Sequence, residues 1–178
     1  IPGMVVLNPS DAVSTDKLLR QVAQIQGPVY MRLGRAAVPV VYGEDSNIQI
    51  GKGNCVREGS DVTVIATGVM LDEAIQAAEQ LQEKGVSVRV IDMHTIKPID
   101  REIIVKAARE TKAIVTAEEH SVIGGLGSAV AEVLSQEHPA RMKILGVQDS
   151  FGESGKPGEL MEKYGLTAKH IVDAVLTF

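Results

Sequence analysis

Glu118, Glu119 and His120 are consecutive, and Gly124, Gly125 and Gly127 follow close behind them in the stretch TAEEHSVIGGLGSAV. A carboxylate beside an imidazole can exchange protons near neutral pH, which is the elementary act of general acid–base catalysis. The same side chains can instead brace a loop or an interface, held by backbone amides, and most charged loop residues do this. The glycines open onto a helix, where free N–H groups and the helix dipole favour an anion. A dinucleotide fingerprint needs a tight turn straight from strand to glycine and a small residue at its last position. Several residues intervene here, and the last position holds Val130. Glycines that let a helix pack closely on a sheet are therefore the better reading.

Arg35 is the second residue with chemical promise. It follows a strand in MRLGR, just before a loop. A planar fork of donors at such a place suits bidentate binding of a phosphate, and a domain-bridging salt bridge is the alternative. The other candidates are weaker. FGESG at 151–155 is a polar glycine loop that could form a phosphate nest, although a plain turn into the next helix accounts for it. Asp100 caps a helix entry. His94 sits at a strand end in a structural role, and His138 and His170 lack metal-ligand spacing. Cys55 is the single cysteine, which excludes an internal disulfide and a cysteine-rich metal site.

The elements that must position these residues alternate. Val62–Thr67, Val86–Met93, Ala113–Ala117 and Lys143–Val147 read as buried strands. Leu71–Lys84, Arg101–Glu110 and Gly127–Ser135 read as amphipathic helices between them, and a last helix follows Thr167. This pattern predicts an α/β fold: a mainly parallel sheet with helices on both faces. Ahead of it, Met4–Asn8, a helix from Asp11 or Ser14 to about Gln26, and Val29–Leu33 form a strand–helix–strand unit too small to be stable alone. Residues 36–60 lack helical periodicity and read as a linker ending in a short hairpin, with Asn47–Ile50 pairing near Asn54–Val56.

Composition narrows the function. A chain of 178 residues holds one good core and a partial second unit. Its net charge of −5 argues against nucleic acid as a partner, and with 3% aromatics and no tryptophan it offers no base-stacking platform. No leader and no apolar run long enough for a bilayer is evident, so there is no membrane partner and the default location is cytoplasmic. Ile1-Pro2-Gly3 enters a strand at once, without an initiator methionine, and reads as the start of a piece of a longer protein.

Six segments in order resemble the transketolase family: GPVYMRLGR, GSDVTVIATGVMLDEAIQAAEQL, VRVIDMHTIKPID, EEHSVIGGLGSAVAEVL, LGVQDSFGESG and YGLTAKHI. The resemblance implies that residues 1–35 are the tail of a pyrimidine-binding domain, joined by residues 36–60 to a transketolase C-terminal domain at 61–178. That domain is expected to be a five-stranded, mostly parallel sheet with one antiparallel edge strand. It implies transfer of two-carbon ketol units between sugar phosphates in the pentose phosphate pathway. The complete enzyme is expected to be a homodimer using thiamine diphosphate and a divalent metal, magnesium or calcium. The family's pyrophosphate motif and its activating glutamate have no counterpart here, so this chain alone is expected to bind no cofactor, hold no metal and be inactive. Its partner is the rest of the chain or a separate N-terminal subunit. No catalytic residue falls on this chain. The family's substrate-phosphate arginine falls on Arg35, while Glu118, Glu119, His120, Gly124, Gly125, Leu126 and Gly127 are candidates for a loop or interface role. Beta subunits of 2-oxo acid dehydrogenases, deoxyxylulose-phosphate synthases and a non-catalytic docking module are the competing readings.

Overall fold

A computed structural model describes residues 1–35 and 37–178. The chain opens with β1 (Val5–Leu7), α1 (Ala12–Val22) and β2 (Val29–Met31). Asp11 and Ser14 start α1 together. The Asp11 carboxylate accepts the Ser14 amide at 2.7 Å, and the Ser14 hydroxyl accepts the Asp11 amide at 3.0 Å. This reciprocal cap satisfies donors that a helix start otherwise leaves bare.

The larger part follows as β3 (Asn54–Arg57), β4 (Val62–Ala66), α2 (Met70–Glu83), β5 (Val88–Asp92), β6 (Thr95–Lys97), α3 (Arg101–Glu110), β7 (Ala113–Ser121), α4 (Leu126–Glu137), β8 (Met142–Val147), α5 (Pro157–Lys163) and α6 (Ala168–Val175). Its five-stranded sheet runs β3-β5-β4-β7-β8, parallel except for β3 at one edge. This is the mostly parallel α/β architecture that the sequence predicts. The central strand β4 is buried along its whole length, as a strand covered on both faces must be. Its residues alternate between layers: Val62, Val64 and Ala66 pack with α2 and α6, and Ile65 packs with α3 and α4. Leu71, Ala74, Ala78 and Leu81 of α2 line the first layer, and burial of each leucine contributes about 1.5–3 kcal/mol.

A second sheet, of order β2-β1-β6, stands beside the first. β1 runs parallel to β2 and antiparallel to β6. The small sheet thus takes its third strand from between β5 and α3 of the larger part. Two expectations are corrected. The strand expected over 29–33 stops at Met31, with one further bond from the Arg32 amide to the Leu7 carbonyl at 2.8 Å. The hairpin expected between 47–50 and 54–56 does not form. Residues 47–50 are not a strand, and β3 pairs antiparallel with Val90–Asp92 of β5. An isolated two-stranded hairpin is marginal in water, whereas an edge place on a large sheet gives β3 the same hydrogen bonds with a packed face.

Candidate functional site

Arg35 lies in a bend beyond β2, with its side chain exposed. It lines a cavity of about 500 Å³ together with Gly34 and residues 37–39, the start of α2 and helix α5. Val38, Pro39, Val69, Leu160, Tyr164 and Leu166 make much of the wall apolar. Among the described lining residues Arg35 is the cation, beside Asp72, Glu73, Glu119 and Glu153. All four carboxylates are engaged, Glu119 with Arg32 Nη2 at 3.4 Å. Glu73 accepts the Ala168 amide at 2.6 Å, at the start of α6. Glu153 pairs with Lys163, which holds its carboxyl below the usual range, and accepts the Tyr164 hydroxyl at 2.9 Å. Asp72 accepts Gln76 Nε2 at 2.7 Å. A cavity of this size, largely apolar and with one guanidinium at its wall, suits a small molecule that carries an anionic end.

The chain after Arg35 is anchored by a buried polar cluster. Asp11 Oδ2 accepts the amides of Val41 and Tyr42 at 2.8 and 2.9 Å, while its other oxygen caps α1. Hydrogen bonds from these amides and from Ser14 hold the Asp11 carboxyl below its ordinary value against the opposing effect of burial. At the end of β5, Asp92 accepts the Ser10 hydroxyl at 2.6 Å and the Tyr42 hydroxyl at 2.8 Å. Burial pushes the Asp92 carboxyl up to about 7, and nearby Asp11 adds to the rise. Burial and the Asp92 charge push the Tyr42 hydroxyl up as well, so it stays neutral and donates. Sequence reasoning missed this cluster, because its members are spread over residues 10–92. The signal it offered was an aspartate closing the apolar run VRVID.

Glu118, Glu119 and His120 lie inside β7, which continues to Ser121 rather than ending at Ala117. Strand alternation separates their roles. Glu118 is buried and reaches over the glycine loop to α4. Its two oxygens accept the amides of Leu126 at 2.7 Å and Gly127 at 2.8 Å. Burial pushes its carboxyl up, opposed by these two amides. Glu119 faces the large cavity. His120 is exposed, its Nδ1 lies 2.9 Å from the Ser121 carbonyl, and it stays 3.9 Å from Glu118. The bracing reading is the one this geometry supports, since the carboxylate spends both oxygens on the helix start. Gly124 has φ +75°, a backbone state that favours glycine. Gly127 packs directly on Ile144. Leu126 is corrected: it is buried with Ile65, Val130 and Leu134, not presented at a surface. Ile123, three positions earlier, is the exposed apolar residue of the loop, at 64%.

The donor set can be tested against a pyrophosphate and a metal. The anion seat at the start of α4 is filled by the protein's own Glu118, so a pyrophosphate does not fit there. Among the described residues no group of three or more His, Cys, Asp or Glu side chains is placed to hold a metal. No helix among them is long and apolar enough to cross a membrane.

Comparison with known proteins agrees over nearly the whole chain. Residues 51–171 match the family described as transketolase, C-terminal domain. The chain is similar to the 6-deoxy-6-sulfo-D-fructose transketolase subunit of a Clostridium species, with 46% identity over 98% of the chain and 54% of the relative. It is similar to an apulose-4-phosphate transketolase subunit of Phocaeicola vulgatus, with 45% identity over 99% of the chain and 57% of the relative. A solved structure described as a split-gene transketolase, inactive beta4 tetramer, superposes with a TM-score of 0.94 and 51% identity, covering 99% of this chain and 57% of that one. The chain thus spans a little over half the length of these relatives. With a family match across most of its length, and the five-stranded sheet to go with it, the chain belongs to the transketolase family and carries its C-terminal domain.

Proposed function

We propose that this chain is the C-terminal portion of a transketolase that moves two-carbon ketol units between sugar phosphates, and that Arg35 binds the substrate's terminal phosphate. The carrying observation is that, among the described residues, Arg35 is the cation on the wall of a cavity lined largely by apolar groups and partnered carboxylates. In this reading residues 1–35 complete a pyrimidine-binding domain, 36–60 link, and 61–178 form the C-terminal domain. The remainder of the enzyme, continuous with this chain or a separate subunit, supplies the site for thiamine diphosphate and a divalent metal. That division is supported by Glu118, whose carboxylate occupies the place where this chain's glycine loop could hold a pyrophosphate. The assembly is a homodimer or a higher assembly of paired subunits, with the exposed loop around Ile123 taking part in subunit contact.

The test uses the complete enzyme. Losing a charge-assisted contact of about 1.5–3 kcal/mol raises a Michaelis constant roughly ten- to a hundredfold. Arg35→Ala is expected to raise KM by that factor for phosphorylated sugars and to change kcat less, because the phosphate is remote from the reacting carbon. Pentose phosphates are the first substrates to assay, with 6-deoxy-6-sulfofructose and apulose 4-phosphate beside them. Hydroxypyruvate has no phosphate and is the control donor. Equal impairment with both donors, or none with either, means that Arg35 does not read the phosphate.

A further inference from the structure

Arg32 precedes Arg35 on the same stretch of chain but does not enter the large cavity. Its Nη1 donates to the main-chain carbonyl of Glu119 at 2.6 Å, and its Nη2 stands 3.4 Å from Glu119 Oε2. The contact joins residues 87 positions apart and ties the exit of β2 to the far part of β7. Glu119 lines the large cavity, and Arg32 lines a smaller one of about 120 Å³ beside Glu118 and His120. The pair thus has one member at each cavity. A carbonyl acceptor on a sheet strand is a fixed point, and a guanidinium is a rigid fork, so little freedom is left where they meet.

The neighbouring residues extend the clamp. A Cβ on Gly34 would stand 3.2 Å from Val69 Cγ1, so the chain before Arg35 lies close against the start of α2. After Arg35, the amides of Val41 and Tyr42 are held by Asp11. Arg35 itself is exposed and takes its place from these anchors. We infer that Arg32 is a positioning residue: by gripping the Glu119 carbonyl it fixes the approach of Arg35 to the cavity and so sets affinity for the phosphate end of the substrate. This rests on the phosphate-binding reading of Arg35.

The experiment is a double-mutant cycle in the complete enzyme, assayed with a phosphorylated ketose and with hydroxypyruvate. Arg32→Ala should raise KM for the phosphorylated donor about three- to tenfold and leave kcat and the hydroxypyruvate constants near wild type. Arg32→Lys, which keeps a donor for the carbonyl but loses the fork, should recover part of the loss. In an Arg35→Ala background, Arg32→Ala should add nothing, because a residue that acts through another has no effect once the other is gone. Additive losses would mean that Arg32 acts on the substrate by another route, and the inference falls. Equal impairment with hydroxypyruvate would make Arg32 a general brace, and the inference falls likewise. A silent Arg32→Ala beside an impaired Arg35→Ala overturns the inference and leaves the phosphate reading standing. A silent Arg35→Ala overturns both.

Discussion

Glu118 and Gly125 stand so close that a β-carbon on the glycine would overlap the carboxylate oxygen Oε2. The contact leaves no room for a side chain at position 125 beside the carboxylate. Gly125→Ala must therefore displace Glu118 from the amides of Leu126 and Gly127. Loss of a helix cap costs about 0.5–2 kcal/mol, and a buried polar group left without a partner adds about 1–3. Urea unfolding should show a loss of roughly 2–4 kcal/mol with an unchanged slope. A variant as stable as wild type would mean that the cap is dispensable.

Asp92 gives stability a slope with pH. Its carboxyl has an ordinary value of 3.8 and is raised to about 7 in the folded chain, chiefly by burial. The folded state therefore keeps a proton that the unfolded chain has released. The contribution of this group is complete below about pH 4 and is lost as pH rises through about 7. Asp92→Asn keeps an acceptor for one of Ser10 and Tyr42 and removes the titration. Denaturation midpoints between about pH 6 and 8 should fall in wild type and run flatter in the variant. Parallel curves would contradict the assignment.

His94 works in the opposite direction. It is buried, with Nδ1 3.0 Å from the Thr95 hydroxyl and Nε2 3.0 Å from Asn54 Oδ1. Thr95 Oγ1 accepts the Gly51 amide, so its own proton points to Nδ1, and the ring is assigned as the neutral Nε2–H form. Burial lowers its pKa from 6.5 to about 4, with Asp100 pulling the other way. The stability it contributes is present above about pH 6.5 and is lost as pH falls through 4. The ring resonances of His94 should still be those of neutral imidazole at about pH 5.5. A midpoint near 6 would show that the ring is not shut away from water.

Two apolar residues three positions apart, Ile123 in the loop and Leu126 at the start of α4, should respond differently to the same change. Leu126 is 1% exposed, and Leu126→Asp buries an unpaired charge, a change that costs more than about 4 kcal/mol. Ile123→Asp falls on an exposed side chain and should stay within about 0.5 kcal/mol of wild type. If the loop takes part in subunit contact, sedimentation of the complete enzyme should show Ile123→Asp as folded but less assembled. A normal assembly would remove the loop from the interface.

Much of the large sheet was legible because its strands are short, continuous apolar runs and its helices carry their own boundaries. Asp100 before α3 and Gly85 after α2 are examples. What escaped was non-local. β6 is three residues long, and its partner β1 lies some ninety residues earlier in the chain. β3 has a plausible local partner at 47–50 and a better distant one in β5. At Glu118 the residue types allowed acid–base chemistry and bracing alike. Only the eight-residue reach to the Leu126 amide decides between them, and no spacing rule contains it. Arg32 stands three positions before Arg35, and the contact that separates their roles spans half the chain.

The position of β1 between β2 and β6 bears on how the protein is made. Lys97, which pairs with Val6, also donates from Nζ to the carbonyl of Ile1, 96 positions earlier. At ~5–20 residues per second, translation brings that second neighbour about three to thirteen seconds after the first. Through this interval the middle strand of the small sheet has one bare edge, which is a template for pairing with any other nascent chain. A product released before Thr95 has every residue of β1, α1 and β2 and still lacks the strand that pairs with the second edge of β1 in this structure.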